Sequence, residues 1–205
     1  MSYRLTRRRF LHAAGAGLSL PFLAQLMSAC QAISPGSSQP LSEITWSRGD
    51  DLRTQDPQLI AGRMEGEINR CIYDQLFDVA PDGSQINWLA TEFSSNSEGT
   101  VWTVKMQDGT KFHDGSPVTA EDVKFTFDRL LANPEFQHST AFKDLLASVD
   151  APDATTVVFT CSKPAPLFNL ILGEHILSKK SADENGENFW EKAIGSGPFR
   201  HLEYV

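Results

Sequence analysis

No Cys-x-x-Cys pair and no His-x-x-x-His pair occurs in the 205 residues, and the cysteines number three, Cys30, Cys71 and Cys161. A structural zinc site therefore has no support, because tetrahedral sites need ligands at such spacings. No Gly-x-Ser-x-Gly elbow and no His-Glu-x-x-His helix is present, which removes the usual sequence signs of a serine hydrolase and of a zinc protease. Basic residues are in short supply: 18 Lys and Arg against 26 Asp and Glu, a net charge of −8. Four of the cations, Arg4, Arg7, Arg8 and Arg9, fall in the first 29 residues, which hold no acid, so the rest of the chain carries −12. A surface that acidic argues against nucleic acid as a partner. No repeat and no extended low-complexity segment interrupts the chain. Its 40% hydrophobic and 21% charged residues are ordinary for a globular protein.

A consistently apolar span is also missing. The longest candidate, Phe10 to Ala29, is softened by Gly15, Gly17, Ser19 and Pro21, whereas a stable membrane helix wants about 20 consecutive apolar residues. What precedes the run is Thr6-Arg7-Arg8-Arg9-Phe10-Leu11, which resembles the twin-arginine export motif, with Arg7 and Arg8 as its pair. Residues 1–29 thus read as a targeting signal. Leu26-Met27-Ser28-Ala29-Cys30 resembles a lipobox, in which Cys30 takes the lipid; Met27 stands where Leu is usual, and cleavage near Ala29 without lipid is the alternative. Residues 30–40, rich in Ser, Pro and Gly, read as a flexible tether. Cys71 falls on the apolar stripe of an expected helix and Cys161 on the apolar face of an expected strand. They read as two small buried residues, although two cysteines in an exported protein could pair.

The remaining chain is organised around Thr100 to Leu131. Trp102, Val104 and Met106 alternate with Thr103, Lys105 and Gln107, the period of two of a half-buried strand. Asp108-Gly109 is a two-residue hairpin signal, and Asp114-Gly115-Ser116-Pro117 marks a second turn. Thr119 can cap a helix with Asp122 three residues on, and Val123, Phe127, Leu130 and Leu131 form one apolar stripe. Elsewhere, Glu43 to Ser47 alternates as a strand. Arg63 to Phe77 reads as a helix with Met64, Ile68, Cys71, Ile72 and Leu76 on one face. Ala141 to Val149 reads as a short helix and the start of a strand, and Thr155 to Ser162 as a strand.

The Asp108-Gly-x-Lys-Phe-His-Asp-Gly-x-Pro-x-Thr-Ala-Glu-Asp-Val-x-Phe pattern, running on to Arg129-Leu130, resembles the signature of the family 5 extracellular solute-binding proteins of ABC importers. Other blocks agree in order. They are Asp56-Pro57, Ile72-Tyr73-Asp74-Gln75-Leu76, Trp88 to Phe93, Ala151-Pro152-Asp153, Lys163-Pro164-Ala165-Pro166 and Gly195-Ser196-Gly197-Pro198-Phe199. Departures are local: Gln75 stands for Gly, Trp88 for Pro, Phe93 for Trp, Ser196 for Thr and Phe199 for Tyr. The resemblance covers nearly all of 41–205.

The resemblance implies an α/β, periplasmic-binding-protein type II-like two-lobe fold of which only the N-terminal part is present. Residues 41–78 would be a first-lobe segment, 79–190 an inserted strand-rich subdomain, and 191–205 the return into the first lobe. A fragment with an open sheet edge is expected to be marginally stable, and lobe closure is not expected within it. The resemblance further implies capture of a peptide or similar small solute outside the cytoplasmic membrane and delivery to ABC permease subunits. The Cys30 lipid would hold the protein to the membrane; no catalysis, cofactor or metal is implied. By position the loop that hydrogen-bonds a ligand backbone is Leu59 to Met64, giving Ala61, Gly62, Arg63 and Met64 as candidate contacts. Gly62 would allow close approach and Arg63 would attract a carboxylate; the plain alternative is a turn glycine and a solvated arginine. Gly195, Ser196 and Gly197 would border the cleft, or else simply turn the chain into a strand. His113 reads as a turn or packing residue, His138, His175 and His201 form no pattern, and Lys179-Lys180 reads as a solvated pair. Competing readings are an exported structural lipoprotein or decayed half-protein, and, less favoured, an exported hydrolase.

Overall fold

The computed structural model describes residues 45–47, 49 and 52–203. Arg7, Arg8, Cys30 and the signal and tether they belong to lie outside the described residues. Of the strand expected over 43–47, residues 45–47 are irregular backbone. Every regular element below lies in the unit that begins at Gly49.

The centre is an antiparallel sheet of four strands in the order β3-β4-β6-β5, made of β3 (Ala90–Ser95), β4 (Val101–Met106), β5 (Leu146–Asp153) and β6 (Thr156–Cys161). The inner strands β4 and β6 share a buried face: Trp102 lies opposite Phe159 and Val104 opposite Val157, and Met106 and Cys161 are buried as well. Helix α2 (Ala120–Ala132) covers that face. Its stripe of Val123, Phe127 and Leu130 is fully buried. Phe127 meets Phe142 at 5.3 Å and Phe159 at 5.1 Å between ring centroids, and Phe159 continues to Phe168 at 5.5 Å. Such edge-on aromatic contacts add to the burial of large apolar surface.

The helix starts where the sequence places it. The Asp122 carboxylate accepts from the Thr119 backbone N–H at 2.9 Å, the reciprocal half of a capping box. The turn before it differs from expectation. Asp108-Gly109 turns the chain, with Gly109 at φ +83°, but β4 pairs with β3 and β6 instead of with the segment that follows. The small hairpin closes one turn later, around Asp114-Gly115, where Lys111 bridges Pro117. The non-local β6 outcompetes the local partner because it brings a whole inward face.

Helix α1 spans Arg63–Ile72, shorter than expected. Beyond it Phe77–Val79 (β1) and Gln85–Asn87 (β2) form a separate two-stranded ribbon. The deeply buried residues of α1 are Glu65, Asn69 and Ile72, while Met64, Ile68 and Cys71 are half-buried. The helix expected from Ala141 is a 3-10 turn over Gln137–Ala141. A second core joins the elements: Ile72 and Tyr73 at the end of α1 pack with Leu177, Phe189 and Ala193, and with Phe125 on the flank of α2. Helix α3 (Lys179–Asn185) follows Leu177. Both described cysteines, Cys71 and Cys161, are free thiols.

Candidate functional site

Gly62 is the N-cap of α1. A Cβ there would lie 1.9 Å from Glu65 Oε2 and 2.4 Å from Arg53 Nη2. The glycine thus leaves room for an ion pair: Arg53 Nε donates to the fully buried Glu65 carboxylate at 2.8 Å and holds it below its ordinary pKa against the opposing effect of burial. Ala61 and Arg63 are exposed and Met64 half-buried. Arg63 pairs with Glu67 one turn on, at 3.0 Å. The loop before Gly62 is tied down at two points. The Gln137 backbone N–H donates to the Leu59 carbonyl at 3.3 Å, and the Ala61 N–H donates to Gln137 Oε1 at 2.9 Å. His138 Nδ1 in turn lies 3.0 Å from both oxygens of the buried Glu174 carboxylate.

The start of the same loop is anchored by a buried charge pair. Arg129 grips both oxygens of Asp56, at 3.1 and 2.5 Å, and gives a further bond to Gln58 Oε1 at 2.6 Å. Its guanidinium lies over the Phe136 ring at 4.7 Å and the Phe189 ring at 5.3 Å. Gln58 completes the set by donating to the Thr126 carbonyl at 2.9 Å. The Asp56-Pro57 loop is in this way fastened to α2.

Gly195, Ser196 and Gly197 lie at the other end of α1, against its last turn. The N–H groups of Gly197 and Phe199 donate to the carbonyls of Ile72 and Cys71, at 2.8 and 2.9 Å, which satisfies helix-end acceptors that have no partner within the helix. The approach is so close that a Cβ on Gly195 would stand 1.9 Å from the Ile72 oxygen. His113 clamps the segment. Its N–H donates to the Gly195 carbonyl at 2.8 Å, its Nδ1 accepts from the Gly195 N–H at 3.3 Å, and its Nε2 meets the Gly197 carbonyl at 2.8 Å. These contacts select the tautomer with the proton on Nε2. A cleft of about 620 Å³ opens beside it, lined by Lys111, His113, Asp114, Ser196, Gly197 and Arg200 among others. The two sets of candidate contacts are therefore separated by the ten residues of α1, a distance of about 15 Å.

Just past the end of α1, Tyr73 and His175 are buried side by side, their ring centroids 6.3 Å apart. Tyr73 carries a buried hydroxyl whose pKa is raised, chiefly by burial and secondarily by the Asp56 charge. His175 is pulled down to about 3, mainly by burial, with the charges of His138 and Arg70 adding. The lysine pair, Lys180 exposed and Lys179 half-buried, is engaged: Lys180 meets Asp114 at 2.8 Å and Lys179 meets Asp183 at 2.6 Å. Lys180, with Ser116, holds the Asp114 carboxyl at about 2. Among the described residues no three metal-capable side chains gather, and no helix is long and apolar enough to cross a membrane.

The model of bacterial extracellular solute-binding proteins, family 5 (Middle), matches residues 85–205. The chain belongs to family 5. Among its family 5 relatives is the protein named "Probable D,D-dipeptide-binding periplasmic protein DdpA" of Escherichia coli (strain K12). It is 31% identical over 192 residues, 87% of this chain and 37% of the relative. The glutathione-binding protein GsiB of Pectobacterium atrosepticum is 28% identical over 209 residues, 100% of this chain and 38% of its own. Of solved structures, the periplasmic binding protein DppA of Helicobacter pylori in complex with the peptide STSA superposes with a TM-score of 0.65 at 25% identity, over 74% of this chain and 35% of that one. The chain spans a little over a third of the length of its relatives, and its fold is part of the α/β type II periplasmic-binding-protein fold.

Sequence reasoning missed Gln137, His138 and Glu174. His138 and Glu174 are 36 positions apart, in segments with no shared periodicity, so nothing local could have announced the pair.

Proposed function

We propose that this protein is a solute-binding component of an ABC importer that captures peptides or a similar small solute and passes them to the permease. The observation that carries the reading is the extent of the likeness to proteins named for binding D,D-dipeptides and glutathione, which covers 87% and 100% of this chain. The 61–64 loop supports it. Ala61 is exposed with its N–H held by Gln137, and the exposed Arg63 that follows is suited to the carboxylate of a peptide. Ser196 and Gly197 border the polar cleft beside His113, and with Gly195 they are assigned a contact with the solute. Residues 41–78 and 191–205 would belong to one lobe and 79–190 to an inserted subdomain. Export would proceed by the twin-arginine signal around Arg7 and Arg8 to the periplasm or the outer face of the membrane, with Cys30 as the lipid anchor. Calorimetric titration of the full gene product with D-alanyl-D-alanine, L-dipeptides, tripeptides and glutathione tests the reading. Saturable heat from at least one peptide is expected, and no heat from any would refute it. Metabolic labelling with palmitate tests the anchor: label should enter the wild type and be absent from Cys30→Ser.

A further inference from the structure

The loop that carries Ala61 and Gly62 does not hold itself in place. Two of its backbone groups are taken by a 3-10 turn more than 70 positions away, where Gln137 engages Leu59 and Ala61 and the next residue, His138, meets Glu174. A Gln side chain is well suited to this, since it spans the loop from its own backbone N–H to its amide oxygen. The turn is in turn pinned from behind by Glu174, which is 6% exposed.

We infer that Gln137 and His138, backed by Glu174, are positioning residues that pre-form the solute-binding loop. The role presupposes that residues 61–64 touch the solute. It supplies what such a loop needs, because a loop already ordered in the binding conformation does not lose that entropy when the solute arrives.

The chemistry of the ring adds a condition. His138 meets Glu174 through Nδ1, and that contact is a charge pair only while the ring is the imidazolium. Burial alone would lower the His138 pKa, but the hydrogen bond and charge of Glu174, with Asp56 adding, together outweigh it and leave the pKa above its ordinary 6.5. The other charge facing the ring is Asp56, itself held by Arg129, while the neighbouring His175 is kept neutral mainly by burial. The hold on the loop is therefore complete below pH 6.5 and weakens as pH rises through the raised His138 value.

Hydrogen exchange at the Ala61 amide of the full gene product reads the device without any ligand. Gln137→Leu should raise its exchange about five-fold, the loss of one ordinary hydrogen bond, while Gln137→Glu, which keeps the acceptor oxygen, should restore protection. In the wild type the protection factor should fall with rising pH. Glu174→Gln should move that fall to lower pH. Affinity for whichever peptide of the panel binds should weaken about five-fold in Gln137→Leu and recover in Gln137→Glu. An Ala61 amide indifferent to Gln137→Leu at every pH overturns the inference whatever the peptides do. A sensitive amide in a protein that binds no peptide overturns the solute reading and leaves the positioning role standing.

Discussion

Arg129 and Asp56 stand 73 positions apart and form the most enclosed ion pair among those described, with side chains 15% and 5% exposed. Breaking one side of such a pair strands a charge, so Arg129→Met should destabilise by about 3–5 kcal/mol in urea unfolding, and adding Asp56→Leu should recover much of it. Glycines divide by what surrounds them. Gly195→Ala would drive a methyl group into the Ile72 carbonyl, whereas Gly66, inside α1, has open space around it. Thermal melts should show Gly195→Ala strongly destabilised and Gly66→Ala stabilised by about 0.4–1 kcal/mol. Each of these residues sits in a block that was legible in the sequence, Asp56 beside Pro57 and Arg129 at the end of the helix motif. Their pairing was not, because a side chain's long-range partner leaves no mark on its neighbours.

Periodicity made the elements with one buried face legible. β4, β6 and α2 lie within a residue or two of expectation, since alternation in Trp102–Met106 and Val157–Cys161 and the Val123–Leu130 stripe each encode one inward face. The end of α1 was not legible. Its apolar pattern continues to Leu76, but the carbonyls that the N–H groups of residues 75 and 76 would need are claimed from afar. Phe199 takes Cys71 and Gly197 takes Ile72, and past them Ile176, Leu89 and Ala90 draw residues 74–76 into other pairings. Tertiary hydrogen bonds override local propensity there. At the start of α2 the same carboxylate serves two elements, for Asp122 Oδ1 also accepts from the Lys179 N–H at 2.9 Å. Asp122→Ala should therefore cost about 2–3 kcal/mol and Thr119→Ala only about 1 kcal/mol, as read by chemical denaturation.

Across the whole molecule two histidines make stability depend on pH with opposite signs. His175 is neutral in the fold down to about pH 3, against an ordinary 6.5. Below 6.5 the unfolded chain takes up a proton that the fold refuses, so stability falls with falling pH, by up to about 1.4 kcal/mol per unit. His138 works the other way, its contribution being present at low pH and lost as pH rises. Melting temperatures between about pH 4 and pH 8 should show the acid limb flattened in His175→Gln and the alkaline limb flattened in Glu174→Gln. Fold class and family were readable at this scale because several motifs occur in the right order over most of the chain. The solute was not, since among the candidate contacts Arg63 points to no more than a carboxylate and the rest are small or uncharged residues. The central claim is that this is a peptide-binding protein of an importer, and calorimetry of the full gene product with the peptide panel tests it most directly. Saturable binding of at least one peptide, weakened by Gln137→Leu, is the predicted result. Silence toward every peptide, from a protein that melts cooperatively, would contradict it.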